Sequence, residues 1–285
     1  EGSVFAVPVN IHRGNVMWFD RAFFRDGGFP DPTTWDTWDT AFNVMDDIKA
    51  AGRTPFALGE SVPFYTGHVF EDILASQMDA DAYGGLFSGD TPWDGAAVTS
   101  SLGIMKTLIE EYSNQDYLSV DPGSAFEMAL SGDAACTING DWAEGFYRGK
   151  GYDGKYGWAP SPGTQGIYMA LSDAFVVPHN ATNREAALEW CRVCGSLDGQ
   201  NQFNHFKGSI PVRTDANLSY FNTYQKEAIE DWNTNTVVQS IVHGFAARQS
   251  WITAFVNTLN VFAAELDIED TQKTLGTDCE DAGVC

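Results

Sequence analysis

Short apolar runs and helix-spaced apolar stripes alternate along most of this chain. Val4-Phe-Ala-Val-Pro-Val9 and Asn15-Val-Met-Trp-Phe-Asp20 are rich in β-branched and aromatic residues and predict short strands. Asp31-Pro-Thr-Thr34 is a helix-start signal with Thr33 or Thr34 as the cap. Trp35, Trp38, Phe42, Met45 and Ile48 then recur at helical spacing, and Gly52 ends the run. Thr54-Pro-Phe-Ala-Leu58 predicts a returning strand, so that strand, helix and strand read as an α/β crossover unit. Val98, Leu102, Met105, Leu108, Ile109 and Tyr112 form one stripe, and Ala125 to Leu130 a shorter helix stopped by Gly132. Ala134-Ala-Cys-Thr-Ile-Asn139 and Tyr156-Gly-Trp158 look like strands. The loop Ala159-Pro-Ser-Pro-Gly163 leads towards Asp173-Ala-Phe-Val-Val-Pro178. From Asp215 onward the pattern is nearly all helical, with Trp251, Phe255, Leu259, Phe262 and Leu266 on one face. There is no internal repeat and no low-complexity linker. The fold class predicted is α/β with a helical C-terminal portion.

The chain has 285 residues, room for one large domain or two lobes each with its own core. No apolar run reaches the roughly 18 residues that a membrane-spanning helix needs. It opens on Glu1-Gly2-Ser3 without a basic-then-apolar leader, and the first strand is abrupt for an α/β lobe. The expectation is that a targeting segment has been removed or that chain upstream is missing. Against 16 Lys and Arg stand 39 Asp and Glu, for a net charge of −23. Such a surface repels phosphate backbones and anionic lipid, which argues against nucleic acid and membrane partners and for a neutral or cationic ligand. The 9 Trp among many aromatics mostly serve packing, yet an indole is also a good platform for the apolar C–H face of a sugar ring.

Five cysteines are present. Cys279 and Cys285 flank a short loop and could close as a disulfide in an oxidising compartment. Cys191 and Cys194 are one helical turn apart at a helix end, where buried small side chains are expected ahead of a structural bridge or metal site. Cys136 lies in a predicted strand as core.

Several segments resemble the extracellular solute-binding proteins of carbohydrate ABC importers, in particular the glucose/mannose-type branch. They are Ala6-Val-Pro-Val-Asn-Ile-His-Arg13, Ala57-Leu-Gly-Glu60, His68-Val-Phe-Glu-Asp72, Asn139-Gly-Asp-Trp-Ala143, Pro162-Gly-Thr164, Ser172-Asp-Ala-Phe-Val-Val-Pro178 and Lys207-Gly-Ser-Ile-Pro-Val-Arg213. The resemblance implies a two-lobed α/β fold of the periplasmic-binding-protein type II kind, with the N-terminal lobe largely missing. Residues 1–9 would be a hinge strand and residues 10–171 the C-terminal lobe. Residues 172–209 would return to the N-terminal lobe, and 210–285 would be helices packed on the C-terminal lobe. About 100 residues of upstream lobe would precede Glu1. It further implies a periplasmic or extracellular monomer that binds glucose or a related hexose and delivers it to membrane permease subunits, with no cofactor, no metal and no catalysis.

Four residues carry the implied site. Trp142 follows a strand in Gly140-Asp-Trp and would stack on the sugar, although a lone Trp is ordinarily core. Asp173 would accept from two adjacent hydroxyls, the strong charge-assisted arrangement, where a strand-start cap is the plain alternative. Lys207, before Gly208-Ser209, would donate to hydroxyl or ring oxygens, its plain alternative being a solvated surface lysine. His243 in Ser240-Ile-Val-His-Gly244 is read at a helix end, where capping is the usual duty. A second aromatic platform expected upstream falls near Pro122 and so is lost. His12 and His68 lie in matching segments with structural duty as their default.

Two other readings compete. A glycoside hydrolase needs two carboxylates flanking a bond, and Asp141, Glu144, Asp173 and Glu60 are candidates, but no spacing singles out a pair. A non-catalytic surface carbohydrate or adhesion module is the other. Dinucleotide, P-loop, zinc and nucleophile-elbow motifs do not occur.

Overall fold

The computed structural model describes residues 5–285. Val4, at the start of the first predicted strand, and the Glu1-Gly2-Ser3 opening lie outside the described residues. Val7–Pro8 (β1), His12–Arg13 (β2) and Val16–Asp20 (β3) come first, and Asp20 caps Arg21–Gly27 (α1) by accepting from the Ala22 amide. The helix expected from Thr33 or Thr34 begins later. Asp31 caps only a single 3-10 turn, Pro32–Thr34, and Thr37 caps Trp38–Ala50 (α2) through the Thr40 amide. Trp35 is therefore buried core without being on the helix.

Thr54–Phe56 (β4) leads into Tyr65–Gln77 (α3), Ala80–Ser88 (α4), Ala96–Thr107 (α5) and Pro122–Ser131 (α6). A π-helical turn, Leu108–Tyr112, extends α5 and continues its predicted stripe. Pro122 is the first residue of α6, where a missing N–H costs nothing. Ala134–Ile138 (β5), Trp142–Gly149 (α7), Tyr156–Pro160 (β6), Ile167–Leu171 (β7) and Ala174–Phe175 (β8) follow. Then come Arg184–Gly195 (α8), Leu197–Lys207 (α9), Thr223–Thr234 (α10), Thr236–Gln239 (β9), Gln249–Glu265 (α11) and Ile268–Asp281 (α12).

Two expectations are corrected by the sheets. The main sheet runs β4-β5-β3-β6, with β4 and β5 parallel and β3 antiparallel to both its neighbours. Hence β3 and β4 do not form the expected crossover unit; the parallel return is from β4 through α3 to α6 into β5. The stretch after Asp215 is not all helical either. The β-branched Thr236-Val-Val run forms β9, which lies parallel to β7 in a second sheet of order β2-β7-β9. As a result His243 sits in a turn after a strand and not at a helix end.

The residues of β3 point alternately into two clusters. Met17 and Phe19 join the large core with Phe24, Trp38, Phe70, Trp251 and Phe255, while Val16 and Trp18 join Tyr147, Tyr168, Ile210 and Tyr224. Both faces are covered, which is why the strand is a continuous apolar run. The chain end is pinned by the Cys279–Cys285 disulfide, whereas Cys136, Cys191 and Cys194 are free thiols. Three chain segments lie side by side. The Val9 amide donates to the Asp173 carbonyl (2.9 Å), and Ile11 and Ile210 exchange backbone bonds. Buried amide side chains tie them, as Asn204 donates to the Val9 carbonyl (3.0 Å) and Gln225 to that of Ser209 (2.8 Å).

Candidate functional site

The site is built where β5 ends. Its exit turn is fastened to the strand beside it by the Asn139 amide on the Val16 carbonyl (2.9 Å) and the Asp141 amide on that of Arg13 (3.0 Å). Trp142 then opens α7, half-buried, with its indole folded back over Gly140, where a Cβ would come within 2.1 Å of the ring. Only glycine fits there, so the orientation of the indole depends on that position.

Three imidazoles surround the indole. His12 meets it edge-on at 5.4 Å between centroids, His68 at 5.8 Å and His243 at 5.0 Å. His12 comes from β2 and is buried, with Nδ1 held by Asp141 in a short hydrogen bond, while Asp141 also accepts from the Arg13 amide (3.1 Å). Its other nitrogen, Nε2, is 3.6 Å from an Asp173 carboxylate oxygen. Asp173 is locked to Asn10 by a reciprocal pair, both bonds 2.8 Å, yet its side chain stays 57% exposed. Lys207 closes α9, and its carbonyl lies against α7, where a Cβ on Gly145 would meet it at 2.6 Å.

Trp142, Asp173 and His243 thus share one neighbourhood, linked through His12 and the indole, whereas Lys207 is tied to it only by its backbone carbonyl against α7. Residues that sequence reasoning left without a role sit in the middle of this neighbourhood: His12, His68, Phe64, Tyr65, Glu71 and Ser240. Phe64 stacks edge-on to His243 at 5.1 Å, and Tyr65 begins α3 beside His68. The His68-x-x-Glu71 spacing on α3 was a visible signal; the His12–Asp141 pair, 129 residues apart, was not.

Burial governs the electrostatics. Burial lowers His68 and drives His243 down to about 3, with repulsion from His12 adding to it and Asp173 opposing it. Glu71 is pushed up to about 8 by burial, against the bonds it accepts from Ser240, Ile241 and Val242. Asp72 and Glu60 are also raised by burial. His68, Glu71 and His243 bring one ligand-type atom each within 4.8 Å of one another. However, the Ser240 hydroxyl already bonds both Glu71 and His243, and His68 stands beside them with both ring nitrogens unpartnered among the described residues. The other acids considered for hydrolysis are tied up: Asp141 by His12, Glu144 by Tyr156 (2.7 Å) and Arg148, and Glu60 by the first amides of α3.

Residues 1–201 match the family described as bacterial extracellular solute-binding protein. The chain belongs to that family. An uncharacterised ABC-transporter extracellular-binding protein of Pyrococcus horikoshii is 32% identical over 266 residues, covering 93% of this chain and 60% of that protein. The xylose/arabinose-binding protein XacG of Haloferax volcanii is 32% identical over 246 residues, covering 85% and 53%. The chain therefore spans only about 53–60% of the length of these solute-binding relatives. Among solved structures, the bacterial solute receptor AcbH, with an exclusive preference for β-D-galactopyranose, superposes with a TM-score of 0.85 at 16% identity. It covers 97% of this chain and 72% of AcbH. A chitin oligosaccharide binding protein gives 0.84 at 17% identity, covering 99% and 72%. The α/β fold expected is thus that of the solute receptors, and the extracellular or periplasmic placement is that of the solute-binding family. Among the described residues no helix is long and apolar enough to cross a membrane.

Proposed function

We propose that this chain is the larger part of a receptor that closes around a monosaccharide, glucose or a related hexose, and presents it to an ABC permease. Trp142 would stack on the sugar, with Asp173, Lys207 and His243 bonding its hydroxyls. The opposite wall would come from an N-terminal lobe upstream of residue 1. The observation that carries the reading is the convergence of Trp142, Asp173 and His243 around His12, beside three adjacent chain segments that would be the hinge. In this division residues 1–9 are one crossing, 10–171 with 210–285 the C-terminal lobe, and 172–209 the part that belongs with the missing lobe.

Micromolar affinity is about −8 kcal/mol, which one stacking face and a few charge-assisted bonds supply only when two walls enclose the ring. Function is then a closure equilibrium that ligand shifts by binding the closed state better. The xylose/arabinose and β-D-galactopyranose receptors among the similar proteins support a sugar as ligand and leave its identity to experiment.

Calorimetry with a panel of hexoses and pentoses tests this. The full-length protein is expected to bind one of them at micromolar affinity, and Trp142→Ala to weaken that by about 10- to 100-fold. The 285-residue chain alone is expected to bind at least 100-fold more weakly. Unchanged affinity in Trp142→Ala, or micromolar binding by the chain alone, would overturn the two-wall reading.

A further inference from the structure

The hydrogen bonds beneath His243 form a chain whose proton count has only two solutions. Glu71 on α3 is fully buried. Its Oε2 accepts from the Ile241 amide (2.9 Å) and, more weakly, from that of Val242 (3.4 Å). Its Oε1 lies 2.6 Å from the Ser240 hydroxyl, and the same hydroxyl lies 2.6 Å from Nδ1 of His243. Nε2 of His243 is buried and has no hydrogen-bond partner among the described residues, with the ring between Trp142, Phe64 and His68. We infer that Glu71, acting through Ser240, decides which ring nitrogen of His243 carries the proton, and so whether His243 offers an acceptor or a donor to a ligand against Trp142.

A serine hydroxyl has one proton and stands here between two groups. When Glu71 is ionised it can only accept, so Ser240 donates to Oε1. Ser240 must then accept from His243, which places the ring proton on Nδ1 and leaves Nε2 a bare acceptor. When Glu71 is neutral its proton cannot sit on Oε2, which is already taken by backbone N–H groups. It sits on Oε1 and donates to Ser240, which in turn donates to Nδ1 of His243. The ring proton then resides on Nε2, a donor. One proton enters at Nε2 of His243, the Nδ1 proton passes to Ser240 and the Ser240 proton to Oε1 of Glu71, so that the imidazole is neutral in both end states. A glutamine at position 71 would copy the neutral state permanently, because the same amides hold its carbonyl oxygen at the Oε2 position and turn its NH2 towards Ser240.

The groups facing Glu71 are few. From α3 come His68, with Nδ1 at 3.7 Å, and Asp72; from α4 comes Tyr83; from the turn after β9 come Ser240 and His243, with Nδ1 at 3.6 Å. Arg13 acts on Asp72 from β2. No cation touches Glu71 itself among the described residues, consistent with burial carrying it up to about 8, so that the exchange falls just above neutral pH. His243, held down to about 3, does not charge in that range.

This deepens the sugar-binding reading only in its consequence, since the tautomer is measured without sugar and each can fail alone. The experiment is long-range proton–nitrogen NMR of the histidine side chains of the 285-residue chain between pH 6 and 9.5. In the wild type at pH 9.5 the proton is expected on Nδ1 of His243, moving to Nε2 as the pH falls. Glu71→Gln is expected to hold it on Nε2 throughout. Should Glu71→Gln not fold, Ser240→Ala is expected to make the tautomer independent of pH. A wild-type proton on Nε2 at pH 9.5, identical tautomers in wild type and Glu71→Gln at that pH, or a His243 signal that moves when a chelator is added would each overturn the inference.

Discussion

Helices α11 and α8 carry similar amphipathic patterns and meet different fates. On α11, Trp251, Phe255, Leu259 and Phe262 are fully enclosed by the main core. On α8 only Cys191 is buried, while Trp190 is 55% exposed and Leu188 and Val193 stand open. The exposure continues onto α9 and the β1–β8 pair, where Phe206 is 70% and Phe5 85% exposed, with Phe203, Phe175 and Val176 nearby. Exposed apolar side chains gathered on neighbouring elements are the composition of contact surfaces. In the reading proposed above these side chains are the seat of the upstream lobe. The contrast teaches that an apolar stripe records a demand for burial without recording whether the partner that meets it lies in the same chain.

The sharpest way to break this contrast is paired truncation. Trp251→Ala should cost about 3–5 kcal/mol of unfolding free energy, as large core deletions do. The pH dependence is next in size and belongs wholly to the main body. Glu71 titrates near 4.5 when unfolded and near 8 when folded, so its contribution is fully present below pH 4.5 and lost as pH rises through 8. Urea unfolding at pH 5 and pH 8 should show Glu71→Gln gaining on the wild type by up to about 4 kcal/mol at the higher pH. His243 works in the opposite sense, with stability present above its unfolded value of 6.5 and lost as pH falls towards 3. Smallest is Trp190→Ala, expected to cost well under about 1 kcal/mol in this chain because the ring is more than half exposed and meets Phe175 edge-on at 5.6 Å. A loss comparable to that of Trp251→Ala would mean that α8 buries its face after all.

The same contrast governs what could be read in advance. Periodicity found α2, α5, α6 and α11 because each puts one face on a core within the chain. It missed β7, where Ile167-Tyr-Met-Ala-Leu171 is buried on both faces and so does not alternate, and β9, whose four residues follow directly on α10. It misplaced the start of α2 because Asp31 and Thr37 both offer caps six residues apart, and Pro32 favours the first while a 3-10 turn ends there. At the site, Trp142, Asp173 and His243 were named from the family resemblance of their segments. Their grouping with His12 and His68 was not foreseen, because it depends on the β2–β7 register and on the turn after β9. Neither leaves a local mark. The Glu71–Ser240–His243 chain, spanning over 160 positions, needs the fold to exist at all.

The junction between α7 and α9 deserves a mechanical reading. A Cβ on Gly145 would strike the Lys207 carbonyl at 2.6 Å, and one on Gly208 would strike that of Asp141 at 2.5 Å. Backbone thus rests on backbone at both points, flanked by the Glu144 carboxylate and by Arg148 on the His205 carbonyl. A swing of α9 relative to the first turn of α7 must either carry the indole of Trp142 along or part the two helices cleanly. Such a close seat would couple a displacement of the α9 end to the plane of the indole on the adjoining turn, with little slack between them.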